Sequence, residues 1–162
     1  MRYGPLRKRY LLSIEHIQGD LLTADVPVIA HGVNCKGLMG AGIAKPVREL
    51  YGEEMFREYR FRCRHGSLRP GGFHFWIPRG GNLPILLNVA SQNHPGPDAR
   101  LEWLVSGLTG GIKFAQLALN DELVIGVPHI GCGIGGLEWD DVEPELERIA
   151  DDLKVTIRVY TL

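Results

Sequence analysis

Apolar positions along the chain alternate between short strand-like runs and longer stretches at helical spacing. Leu11–Ile17 is apolar and leads into Gly19-Asp20, a strand ending in a turn, and the β-branched run Val26–Val33 is a second strand that stops at Asn34. Gly40 to Leu50 predicts a short helix with Lys45 and Arg48 on its outer side and Pro46 within its first turn, where a missing N–H is tolerated. Glu53 to Tyr59 predicts another helical stretch, and Phe73–Ile77 and Ile85–Val89 are strands between Gly and Pro punctuation. Asp98 to Leu119 places Leu101, Leu104, Val105, Leu108, Ile112 and Leu119 at helical spacing, with Asp98 in the N-cap position. Gly107, Gly110 and Gly111 lower its helix propensity but permit close packing on a sheet. Leu123–Val127 reads as a buried strand, followed by a Gly-rich loop, an acidic helix from about Trp139 to Asp152 and a last strand Val155–Tyr160. This alternation predicts a three-layer α/β/α sandwich around a central mixed, mostly parallel sheet.

With 162 residues, 44% of them hydrophobic and 23% charged, the chain suits one domain over residues 1–162, with residues 1–10 as a basic N-terminal arm. No apolar run approaches the ~20 residues needed to span a bilayer. Met1 to Ser13 carries Arg2, Arg7, Lys8 and Arg9 without an apolar stretch and small-residue cleavage site, which argues against a signal peptide. Cys35, Cys63 and Cys132 form an odd set without CxxC spacing, which favours free thiols in a reducing, cytoplasmic setting. The net charge of -1 hides a lopsided layout. Arg57, Arg60, Arg62, Arg64 and Arg69 cluster around His65, whereas Glu138, Asp140, Asp141, Glu143, Glu145, Glu147, Asp151 and Asp152 have only Arg148 among them. Either these are two solvated faces, or the arginines steer a phosphate-bearing ligand or a nucleic acid.

Three loops leave the carboxyl ends of expected strands, where open α/β sheets bind ligands. The first runs from His31 to Ala44, the second from Pro128 to Gly136, and the third from Ser91 to Pro97. Backbone N–H groups at a helix N-terminus hold phosphate without side-chain charge, so two glycine loops at two strand ends suit a diphosphate clasped from both sides. Gly131, Gly133 and Gly136 spell GxGxxG, but a dinucleotide fingerprint opens its domain and has an acidic residue at the end of the next strand, whereas these glycines come late and the next strand finishes with Tyr160-Thr161-Leu162. His31 with Cys35, Cys63 with His65 and His129 with Cys132 do not have the clustered spacing of a zinc site, so neither a metal nor a resident cofactor is expected. Cys132 beside His129 lacks a third group to orient the imidazole for nucleophilic work.

Taken together, Gly19-Asp20-Leu21, Ala30-His31-Gly32-Val33-Asn34, Met39 to Ala44 and Ile130-Gly131-Cys132-Gly133 resemble the macrodomain family, an ADP-ribose-binding module. Within it the chain is most similar to the class of terminal ADP-ribose protein glycohydrolases and DNA ADP-ribosyl glycohydrolases of the DarG type. The end Val155 to Leu162 is similar to the former. Asn88 to Gln92, Arg100 to Trp103 and Gly131 to Trp139 are similar to the latter. The resemblance implies that Asp20 accepts the adenine amino group and that Leu21, Tyr160 and Leu162 flank the base. It implies that Gly40, Gly42 and Ile43, and across the cleft Gly131, Cys132, Gly133, Ile134 and Gly135, give the diphosphate its backbone donors. His31, Ser91, Pro128 and Ile130 would belong to the same ligand shell, with Asn34 and Gln92 placing the distal ribose and the water that attacks it. Gln92 stands where the family carries a catalytic lysine, and Gly135 where some members carry an aspartate, so a lysine-centred mechanism is not implied. The expected activity is removal of mono-ADP-ribose from acidic protein side chains or DNA bases. A non-catalytic ADP-ribose reader and a hydrolase of ADP-ribose-1″-phosphate or O-acetyl-ADP-ribose are the alternatives. The implied partners are ADP-ribose and a mono-ADP-ribosylated protein or DNA, with no membrane.

Overall fold

The computed structural model describes residues 13–119 and 122–162; the basic N-terminal arm and the first residues of the expected strand Leu11–Ile17 lie outside them. The elements are β1 (Ile14–Gln18), a 3-10 turn (Leu21–Thr23), β2 (Val28–Gly32), α1 (Ala44–Tyr51), α2 (Glu53–Arg64), β3 (Phe73–Trp76), β4 (Ile85–Val89), α3 (Leu101–Leu119), β5 (Val124–Val127), α4 (Trp139–Leu153) and β6 (Thr156–Thr161). They form one sheet in the order β1-β6-β5-β2-β4-β3, parallel throughout except for β3, which runs antiparallel to β4. The mixed sheet matches the expectation.

Alternation along β2 shows why both faces need cover. Val28 and Ala30 enter the core shared with α3 and α4, while Ile29 enters the core shared with α1 and α2. The strand therefore reads as a continuous apolar run, as a doubly covered parallel strand does. Pro46 occupies the third position of α1, where no carbonyl precedes it in the helix to accept a bond.

Two boundaries differ from the sequence reading. Helix α3 begins at Leu101 rather than at Asp98. Asp98 instead accepts the backbone N–H groups of Asn93 (3.0 Å) and His94 (2.8 Å), so it ties the third loop together rather than capping the helix. A carboxylate offered two loop donors folds the loop on itself before any helix starts. Helix α2 continues to Arg64, which places Arg57, Arg60, Arg62 and Arg64 on one helix.

The glycines of α3 act as anticipated. A Cβ at Gly107 would lie 2.5 Å from the Gly72 carbonyl oxygen and 2.9 Å from Val89 Cγ1, and one at Gly111 would lie 2.5 Å from Leu87 Cδ1. At an exposed helix site alanine would gain about 1 kcal/mol over glycine. Here Gly107→Ala is expected to destabilise the fold by about 1–3 kcal/mol, because backbone must move to admit the methyl. Urea unfolding measures it, and a variant as stable as the parent would contradict this packing.

Candidate functional site

A cleft of about 740 Å³ opens at the carboxyl edge of the sheet, where β2, β4 and β5 end. It brings together Asn34, Gly40, Gly42 and Ile43 from the first loop and Ser91 and Gln92 from the third. From the second loop it takes Pro128, Ile130, Gly131, Gly133, Ile134 and Gly135. No carboxylate lines it among the described residues, whereas Arg48 and Arg60 do.

The first loop is held by Asn34. Its Oδ1 accepts the N–H groups of Lys36 (2.9 Å) and Leu38 (3.3 Å), and its Nδ2 donates to the Leu38 carbonyl (2.9 Å). Tyr59 of α2 donates its hydroxyl to the same residue, 2.8 Å from the backbone oxygen and 3.1 Å from Oδ1. Asn34 thus spends its side chain on an Asx-type turn, which leaves one Nδ2 hydrogen for anything in the cleft.

Beyond that turn the backbone is open. Among the described residues, the N–H groups of Gly40, Ala41, Gly42 and Ile43 donate to no protein acceptor, and α1 starts without a side-chain cap. Opposite them, Gly133, Ile134 and Gly135 likewise keep free N–H groups, whereas Cys132 closes on the His129 carbonyl (3.0 Å) and Leu137 on that of Gly131 (2.9 Å). The two loops meet where Ile134 Cδ1 lies 3.0 Å from the Cβ position of Gly42, whose φ is +58°. Two sets of orphan amides on one cleft, one at a helix start, attract an anion of two linked charges.

The floor is tight. Gln92 Nε2 donates to the carbonyls of His94 (2.6 Å) and Gly96 (2.9 Å), so only its Oε1 remains, as an acceptor. A Cβ at Gly135 would lie 2.7 Å from the Gly131 carbonyl oxygen, 2.8 Å from Ala99 Cβ and 3.1 Å from Gln92 Oε1, which leaves no room for a side chain. Ser91 Oγ is buried with no hydrogen-bond partner and lies 2.5 Å from the Cβ position of Gly32.

Other expected site residues lie elsewhere. His31 is a correction: it is buried on the α2 side of the sheet, outside the cleft. His31 Nε2–H donates to Asn88 Oδ1 (2.5 Å), Asn88 Nδ2–H donates to His74 Nδ1 (3.0 Å), and His74 Nε2–H donates to Glu58 (2.7 Å). Period-two alternation along β2 puts it there: Gly32 and Ala30 take one face and His31 the other. Cys132 is a second correction, since it does not line the cleft, its N–H is used within its own turn, and burial pushes its thiol up to about 11. Asp20 and Leu21, just past the end of β1, and Tyr160, near the end of β6, lie together outside the cleft itself. There Asp20 Oδ1 accepts the Leu22 N–H (2.9 Å), while Leu21 and Tyr160 pack around Gly126. Leu162 is 95% exposed.

Sequence reasoning missed Arg48 and Phe56 and named Arg60 only as one of a basic cluster; all three line the cleft. Arg48 stacks 3.6 Å above the Phe56 ring and forms a two-point bond with Glu53 (3.0 Å each). A basic residue near the end of α1 beside an acidic start of α2 was the available signal, but nothing local said that the pair faced a ligand loop.

Comparisons with known proteins agree with this geometry. The Macro domain family model matches residues 30–146. A DNA ADP-ribosyl glycohydrolase of Mycobacterium tuberculosis is 35% identical over 136 residues, covering 82% of this chain and 37% of that protein. The chain spans less than half the length of the curated relatives it first matches. The solved macrodomain of Mycobacterium tuberculosis DarG superposes with a TM-score of 0.80 at 30% identity, covering 92% of this chain and 97% of that one. Thermosipho africanus DarTG, solved in complex with ADP-ribose, shares the fold with a TM-score of 0.75 at 22% identity, covering 91% of this chain and 41% of that one.

The buried histidines set a pH dependence. Burial holds His31 down to about 4, against a smaller upward pull from Asn88, and burial likewise lowers His74. Unfolded histidine titrates near 6.5, so between ~6.5 and ~4 the unfolded chain binds protons that the folded chain refuses. Stability is complete above that window and falls as pH drops through it, by up to about 1.4 kcal/mol per pH unit for each such histidine. Urea unfolding from pH 7.5 to 4.5 is expected to show this slope, and His31→Gln to reduce it. A flat profile would contradict the buried neutral state.

Proposed function

Because this chain belongs to the macro domain family, we propose that it binds ADP-ribose and acts as an ADP-ribosyl hydrolase, removing mono-ADP-ribose from DNA bases. One observation carries the binding half. A cleft without carboxylates among the described residues is lined by two runs of unpartnered backbone N–H groups, Gly40–Ile43 and Gly133–Gly135, a donor set that suits a diphosphate. Relatives named as DNA ADP-ribosyl glycohydrolases support the choice of reaction and of DNA over acidic protein side chains. In this reading residues 1–162 are one such module, and its free thiols suit the cytoplasm.

The adenine lies toward Asp20, whose second carboxylate oxygen is open, with Leu21, Tyr160 and Leu162 around it. The distal ribose reaches the floor, where Asn34 Nδ2, Ser91 Oγ and Gln92 Oε1 offer one donor, one hydroxyl and one acceptor. A water held there attacks C1″. The C1″–O bond forms as the C1″–N bond to the base breaks, and the water's proton passes through the substrate's phosphate to the departing nitrogen. Such chemistry depends on placement and on anion stabilisation rather than on a strong protein base. The amide of Gln92 has no usable proton-transfer pKa, consistent with that assignment.

Gln92 also favours a second reading. With Nε2 bound to two loop carbonyls, it serves the loop first, and a reader that binds ADP-ribose without turnover needs nothing more. Incubation with thymidine-linked ADP-ribosyl DNA and glutamate-linked ADP-ribosyl protein separates the two. Release of ADP-ribose from the DNA substrate is expected, with Asn34→Ala slower by about tenfold or more. Binding without release from either substrate would make the protein a reader.

Gly133 tests the binding half without disturbing the fold, because a Cβ there meets nothing within 4 Å. Gly133→Glu is expected to weaken ADP-ribose binding at least about tenfold through like-charge repulsion, with Gly133→Gln milder. Calorimetric titration that finds both variants equal to the parent would remove the diphosphate from this loop.

A further inference from the structure

Helix α2 carries a charge pattern that runs beyond the cleft, which only Arg60 of its unpaired arginines lines. Its acidic residues are all occupied: Glu53 by Arg48, Glu54 by Arg79 (3.3 Å), and Glu58 by His74 and Arg62. Arg57, Arg60 and Arg64 take part in no ion pair among the described residues. At positions i, i+3 and i+7 they form one stripe along the helix. Arg60 lines the cleft, so one member of the stripe stands at the mouth of the ligand site. Beside the stripe Phe61 is 58% exposed and stacks on His65, with ring centroids 3.9 Å apart. The acidic helix α4 packs with the core on the opposite face of the sheet, so the positive stripe is not neutralised.

We propose that the Arg57–Arg60–Arg64 stripe and the Phe61–His65 stack of α2 form a docking surface for single-stranded DNA, which delivers a modified nucleotide to the cleft at Arg60. This rests on the DNA reading above. Along the helix axis Arg57 and Arg64 are about 10 Å apart, the run of about three phosphates on a stacked strand. Unpaired guanidinium groups bind phosphates, and an exposed aromatic stack gives a base a face to rest on without regard to sequence. A base whose ADP-ribose is to be cut from it in the cleft must stand clear of a duplex, which favours a single strand over a double one.

Fluorescence anisotropy with an unmodified, labelled twelve-residue oligothymidylate tests this at several salt concentrations. The protein is expected to bind it with a steep salt dependence. Neutralising two arginines together (Arg57→Gln with Arg64→Gln) should flatten the logarithmic salt slope by about 1.4. Phe61→Ala should weaken binding about five- to tenfold and leave that slope unchanged. Arg57, Phe61 and Arg64 lie outside the cleft, so ADP-ribose binding by calorimetry stays at the parent value in these variants. If the parent releases ADP-ribose from DNA while the substitutions leave strand affinity and slope untouched, the surface is wrong and the function stands. If strand binding behaves as expected but no DNA substrate is turned over, the function fails and the surface stands. A poly-glutamate peptide bound as tightly, and lost through the same substitutions, would overturn the assignment to nucleic acid.

Discussion

The pairing of β2 sets the rest of the structure. This strand is hydrogen-bonded in parallel to β4 on one side, with Val28 beside Ile85, and to β5 on the other, with Val28 beside Ile125. Parallel neighbours need crossovers, so their connections leave from one edge and return to the other. The three strands therefore release their following loops side by side, and amides just past the strand ends lose the ladder that satisfied them. Some close on nearby carbonyls, as Ile130 does on Pro128 and Leu137 on Gly131. Those of Gly40–Ile43 and Gly133–Gly135 stay unpartnered on residues that line the cleft. Binding capacity at this edge is a consequence of where the ladder stops.

A polar ladder on the α2 face of the same strands fixes that register. His31 pairs with Asn88, and Asn88 with His74, as direct cross-strand neighbours, and their side chains are joined by the hydrogen bonds that run on to Glu58. A one-residue slip would move these groups to the opposite, apolar face without partners. The ladder holds α2 through Glu58, and Tyr59 holds the same helix to Asn34 in the first loop. Helix, sheet and ligand loop are thereby positioned against one another. The same connection links the cleft to a buried histidine network that does not line it.

Most of the fold was legible because the central strands β2, β4 and β5 are short apolar runs, the edge strand β1 and its neighbour β6 keep alternating apolar positions, and the helices show their spacing. The boundary at Asp98 was not, since a capping residue before a helix and a loop-tying carboxylate have the same local sequence. Gly-rich loops at strand ends were readable as a cleft, and their residues do converge there. His31 was misplaced because its motif neighbours are ligand-loop residues, whereas strand alternation turns its side chain away. Arg48 and Arg60 were unreadable as cleft residues, because only the packing of α1 and α2 against the first loop brings them there. Gln92 showed a changed residue in the sequence; its two bonds to loop carbonyls needed coordinates.

The account stands or falls on free backbone amides receiving the anion. Amide resonances in a nitrogen-15-labelled sample, followed during titration with ADP-ribose, report on each N–H directly. The account predicts large shifts at Gly40, Ala41, Gly42 and Ile43 and at Gly133, Ile134 and Gly135, with little change at Cys132 and Leu137, which are already bonded within their loop. Shifts confined to other parts of the sheet, or none at saturating ADP-ribose, would contradict it.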